Sequence, residues 1–223
     1  MSLPVRSAHT ERPGLAEGRW AMPVPVRRLL MLGPPLLLAG LEILHPNPDF
    51  NAQALMAQST WFAAFHVIQL VLVGLVALSV ILLADRFGQV QAWSLRLGVG
   101  VFLVFFSAYD AVAGIGTGLA MRGAQDLSTA QQQGVFEVVK DWPGLSEVFA
   151  LSIIGTGGWV VAVGVLAMAA RRQRAPRLVW LPLALSALLL MGGHPFPGGT
   201  LAFGFLFLAG LFHEVFARQE GET

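Results

Sequence analysis

Residues Phe62–Leu83 read FAAFHVIQLVLVGLVALSVILL, 22 residues without a single Asp, Glu, Lys or Arg. As a helix this stretch is about 33 Å long, enough to cross a hydrocarbon core of about 30 Å. The composition of the whole chain says which solvent surrounds it. Over 223 residues, 55% are hydrophobic and 12% are charged, about half the charge of an average soluble domain. That is too little to coat a globule of this size, so a soluble enzyme is excluded and the bilayer is the natural solvent. The net charge of +1 carries no signal for nucleic acid. The chain has no cysteine, which rules out disulfides, thiolate chemistry and Cys-ligated zinc or iron–sulfur sites.

Working outward, five more apolar segments have spanning length: Arg28–His45, Leu97–Met121, Glu147–Ala170, Leu178–His194 and Thr200–Phe216. The expected fold is therefore all-α, a polytopic transmembrane bundle of six spans. A polar tail occupies residues 1–27, the membrane domain residues 28–217 and a second tail residues 218–223. The N-terminal stretch carries Arg6, Glu11, Arg12, Glu17 and Arg19 and no apolar core, so it does not read as a signal peptide. Pro34-Pro35 predicts a kink in the first span.

Basic residues orient the spans. Six crossings put Arg6, Arg12, Arg19, Arg27, Arg28, Arg86, Arg96, Arg171, Arg172, Arg174, Arg177 and Arg218 on one side, and only Arg122 and Lys140 on the other. Both termini are thus expected in the cytoplasm, and the chain in the cell (inner) membrane as a multi-pass protein. In the second outer loop Ser128 can cap a short helix. Val135, Val138 and Val139 give the segment near 128–142 an apolar face, for the membrane surface or for the top of the bundle.

Ionisable residues inside spans are costly, about 2.5–3.5 kcal/mol at a helix centre, and so are candidates for function. The two HPxP motifs, His45–Pro48 and His194–Pro197, each close a span, and their prolines read as helix stops. With the expected topology both histidines lie at the outer face. Glu42 is three residues before His45, on the same helix face, the spacing by which bundles present metal ligands. His66 lies about 6 Å below the outer end of the second span, and Asp110 about 16 Å below the outer end of the third. Asp110, Gly114 and Gly118 form one stripe, which should turn the carboxylate into the bundle. Met191 shares a helix face with His194. Glu147 and His213-Glu214 read as helix-end groups.

Glu42, His45, His66, Asp110 and His194 are therefore the candidate ligands of a metal ion, zinc or iron. With zinc and an open position, bound water becomes the nucleophile, and Asp110 or Glu42 is the candidate catalytic base. A haem b variant uses His66 and His194 as axial ligands, or one histidine with Met191. The substrate would be lipid-like or, with haem, quinone-like. Two other functions fit the same residues: a proton-linked transporter of a small solute, and a non-catalytic membrane subunit, either of them as a homo-oligomer or with a partner subunit. The chain contains no P-loop, dinucleotide fingerprint or HExxH motif.

Overall fold

The computed structural model describes residues 22–46, 51–84, 92–194 and 197–221, with side chains as far as 217. The expected tails, apart from residues 22–27 and the helical residues noted below, lie outside the described residues, as do Arg86, Pro48 of the first HPxP motif and Pro195 of the second. All elements among the described residues are helical. They are α1 (Val24–Ile43), α2 (Ala52–Ala84), α3 (Ala92–Gly123), a short α4 (Thr129–Val139), α5 (Ser146–Arg172), α6 (Arg177–Leu189) and α7 (Gly198–Gly221). Five helical segments are long and apolar enough to cross a membrane: α1, α2, α3, Thr129–Arg172 and Gly198–Ala217. The sixth, Arg177–Gly192, is apolar but shorter.

Consecutive long helices pack side by side, and α7 returns to α1, so the six close into a ring. The centre of the ring is aliphatic and aromatic, built on Leu38, Val76, Phe102, Trp159, Leu183 and Phe203. Its outside is also apolar, with Leu29, Leu37, Val71 and Leu97 each more than 60% exposed. Helices that are apolar on every face belong in lipid. At one end of the ring, Glu214 of α7 takes Arg27 and Arg28 of α1 at 3.2 and 2.7 Å. Glu42, His45, His66, Asp110 and His194 lie toward the other end.

Local chemistry explains where the helices differ from the sequence reading. Helix α1 starts at Val24, inside the expected tail, because Pro23 and Pro25 occupy its first positions, where a missing N–H costs nothing. Pro34 and Pro35 do not break it. Pro34 leaves the Leu30 carbonyl without its helical donor, and the Ser79 hydroxyl of α2 donates to that oxygen at 2.7 Å. Helix α2 begins at Ala52 and not at Phe62, so most of the expected first outer loop is helical. The Asn51 side chain caps it, accepting from the Ala54 N–H at 2.8 Å.

Helix α3 contains two π-helical stretches, Phe102–Phe106 and Ala111–Gly116, with Asp110 between them. Up to the end of the first of them α3 packs on α5 with backbones close: a Cβ on Gly98 would meet the Ala162 nitrogen at 2.8 Å, and one on Gly155 the Phe106 nitrogen at 2.7 Å. After them it packs on α2, where Gly118 meets the Ala63 nitrogen in the same way at 2.7 Å. Trp159 of α5 is buried against Phe102 and Phe203. Its indole N–H donates to the Ser186 carbonyl at 3.1 Å, one of the carbonyls left over where α6 ends.

Candidate metal centre

Four helices and one turn bring the site together. His45 follows α1, just past its last turn. His66 lies on α2, one turn after Phe62, whose carbonyl accepts its Nδ1–H at 2.7 Å. His194 comes from the connection after α6. There the α-helix stops at Leu189, a tight 3-10 turn covers Leu190–Gly192, and Gly193 adopts φ +94°, a conformation open mainly to glycine. That break corrects the expected common face of Met191 and His194. Met191 is 64% exposed, whereas His194 joins the cavity lining.

One ring nitrogen from each of His45, His66 and His194 lies within 4.8 Å of the others. His45 Nε2 and His66 Nε2 are 3.3 Å apart. Ligands held at about 2.0–2.1 Å in a tetrahedron are separated by about 3.3–3.4 Å. The proton positions follow from the partners. The Phe62 carbonyl holds the His66 proton on Nδ1, and the Pro46 carbonyl hydrogen-bonds to the His45 ring. The two facing Nε2 atoms are then lone pairs pointing at a common space, an arrangement that a cation relieves. His194 donates Nδ1–H to Glu42 Oε2 at 2.8 Å, leaving its own Nε2 as the free ligand atom. A carbonyl or carboxylate on the far nitrogen is the usual way a ligating imidazole is oriented.

Glu42 is fully buried. Its second oxygen accepts from Gln69 Nε2 at 2.9 Å. Both Glu42 oxygens are thus engaged, by His194 and Gln69, and Glu42 is not among the residues that line the cavity. Gly199 makes room for it: a Cβ there would lie 2.8 Å from Glu42 Oε2. Gly114 does the same for His66, whose ring lies where a Cβ would go, with Nε2 2.7 Å from that point.

Asp110 is 1% exposed, with Oδ1 3.8 Å from His66 Nε2 and Oδ2 without a hydrogen-bond partner. A gap of 3.8 Å is too long for a hydrogen bond and right for an intervening water or ion. A buried carboxylate without a donor needs a cation nearby. The residues therefore fit a divalent ion of the zinc class. They do not fit haem: His45 stands edge-on to both His66 and His194, with ring centroids 5.1 and 5.2 Å away, in the space a porphyrin between those two rings would fill.

The histidines and Asp110 open into a cavity of about 230 Å³. Its walls include Leu55, Phe62, Ala113, Tyr109 and Thr117, and α4 covers it with Phe136, Val139 and Lys140. Ser128, expected to cap this helix, does so in a capping box with Gln131. The buried face of α4 is Phe136 and Val139, packed on Leu55 and Met121, while Val138 is 61% exposed. The segment thus lies over the bundle. Glu147 is exposed at the start of α5, bonded to Ser146, outside the group. Gln69, Gly199 and Thr117 were not assigned from sequence; of these, Gln69 had a signal, its shared face with His66, and of the two placements the sequence left open for the segment near 128–142 the one over the bundle is found. No family model matches the chain, and no curated protein or solved structure matches it.

Proposed function

We propose that the protein is a six-span protein of the cell membrane, with both termini in the cytoplasm, that binds one divalent metal ion of the zinc class through His45, His66 and His194. Asp110 stands beside the ion, Glu42 and Gln69 orient His194, and the remaining coordination position opens into the cavity under α4. Three histidines with an open fourth position are the ligand set of catalytic zinc. The observation that carries this reading is the pair of Nε2 atoms 3.3 Å apart, with His194 completing the group within 4.8 Å.

The test is purification in mild detergent followed by elemental analysis. About one metal ion per chain is expected, falling sharply in His66→Ala and His194→Ala, with a lower melting temperature after chelation. Protein that binds no divalent metal, either as isolated or after incubation with zinc, overturns the reading. The proton-linked carrier keeps one supporting observation, the Asp110–His66 approach of 3.8 Å inside the membrane domain. It requires no metal, so the same measurement separates the two.

A further inference from the structure

We propose that the cavity is the reaction chamber of a lipid hydrolase, in which Asp110 is the catalytic base for a metal-bound water; this rests on the metal site proposed above. Three features of the chamber point there. The first is the position of Asp110. Its Oδ1 is 3.8 Å from the ligating nitrogen of His66, near enough to reach a water on the ion. Its Oδ2 is buried and has no donor among the described residues, so a base is available that none of them occupies. Glu42, the other buried carboxylate at this end, is excluded from that role by its bonds to His194 and Gln69.

The second is Thr117. It lies on α3 seven residues after Asp110, lines the same cavity, and its buried Oγ1 also lacks a partner among the described residues. Within one small chamber there is thus an acceptor for the water's proton and a hydroxyl donor for a substrate oxygen. The third is the wall. Apart from these groups, the histidines, the Tyr109 side chain and Lys140 at the rim it is apolar, with Leu55, Phe62, Phe136 and Val139 closing it and α4 laid across the top. At about 230 Å³ it is smaller than the roughly 300–1,000 Å³ of pockets that engulf a whole ligand. It accommodates the reacting linkage and a few methylenes, while the rest of the molecule stays in the bilayer. An ester or amide of a membrane lipid meets these requirements.

The step balances without a further reactant. The oxygen of the metal-bound water forms a bond to the acyl carbon, and one of its protons passes to Asp110. The tetrahedral intermediate then breaks its bond to the alcohol or amine oxygen or nitrogen. That leaving group takes the proton from Asp110. The products are a carboxylic acid, carrying the water oxygen, and a free alcohol or amine.

The test uses the full chain, loaded with zinc, in vesicles made from a total membrane lipid extract supplemented with an N-acylated long-chain base, in water enriched in oxygen-18. Mass spectrometry reads the label in released fatty acids. The wild-type protein is expected to release singly labelled acid, and Asp110→Asn to release roughly 100-fold less or lower still while retaining the wild-type zinc content. Labelled acid formation by Asp110→Asn at the wild-type rate overturns the role of Asp110. No labelled acid from wild-type protein that holds its zinc overturns the hydrolase and leaves the metal site standing. Failure to hold zinc overturns the metal site itself.

Discussion

Gly114 offers the sharpest test of how the site is built. Its missing side chain is what admits the His66 ring: a Cβ at this position would lie 2.7 Å from His66 Nε2 and nearer still to the ring carbons. Carbon contacts settle at about 3.5–4.0 Å, so Gly114→Ala must push the imidazole by roughly 1 Å. A zinc–nitrogen bond of about 2.0–2.1 Å does not survive that displacement. The variant should therefore behave like His66→Ala in metal binding although every ligand is still present. Overpacking adds a folding cost of about 1–3 kcal/mol. Gly100→Ala is the control, since nothing lies within 4 Å of its added Cβ. The assay is competition between protein and a chromophoric zinc chelator in detergent, with elemental analysis after desalting. Gly114→Ala with zinc content and affinity equal to wild type would refute the placement of His66 against α3, and with it the centre described here.

Three further outcomes follow from other contacts. Glu42→Gln brings an amide N–H against either the His194 Nδ1–H or the Gln69 amide, since Glu42 accepts from both; zinc affinity should fall by about 10–100-fold in the same chelator competition, and an unchanged affinity removes Glu42 from the orienting role. Ser79→Ala leaves the Leu30 carbonyl above Pro34 without its donor and should destabilise the protein by about 0.6–1.7 kcal/mol in thermal unfolding without altering metal content. The chain has no cysteine, so Ala130→Cys and Arg172→Cys each introduce a single thiol; a membrane-impermeant maleimide applied to intact cells should label Ala130→Cys at once and Arg172→Cys only after permeabilisation, and the reverse pattern would invert the orientation.

The sequence carried the helices because their signal is composition over a long window, and a run such as Phe62–Leu83 has no other stable home. It also carried the cap at Ser128, a local pattern with a local cause. Helix ends were less readable. Asn51 lengthens α2 through one side-chain bond. Gly193 ends α6 early, yet glycine is common inside membrane helices, so its presence alone does not mark a stop. The grouping of His45, His66, His194 and Asp110 was readable from depth along each helix, which fixes height in the membrane. Rotation around the helix axis is a separate coordinate. It decides that Glu42 lies behind His194, that Met191 faces outward, and that Gly199 and Gly114 leave the spaces those groups need. Only the packed ring supplies it.

The same distinction between height and rotation gives meaning to the π-helical stretches flanking Asp110. In an α-helix each residue advances the side chains by about 100° around the axis, so a widened turn is in effect one residue added without a loop. Helix α3 uses two of them to change its facing partner from α5 to α2 partway along its length. The phase of Asp110 is set by the difference between those two halves and by neither alone. Insertions and deletions in α3 are therefore not equivalent to substitutions of the same residues: shortening Phe102–Phe106 by one would leave every side chain near Asp110 chemically intact while rotating the carboxylate out of the chamber. A length change, more than any point change, is the alteration to which this site is most exposed.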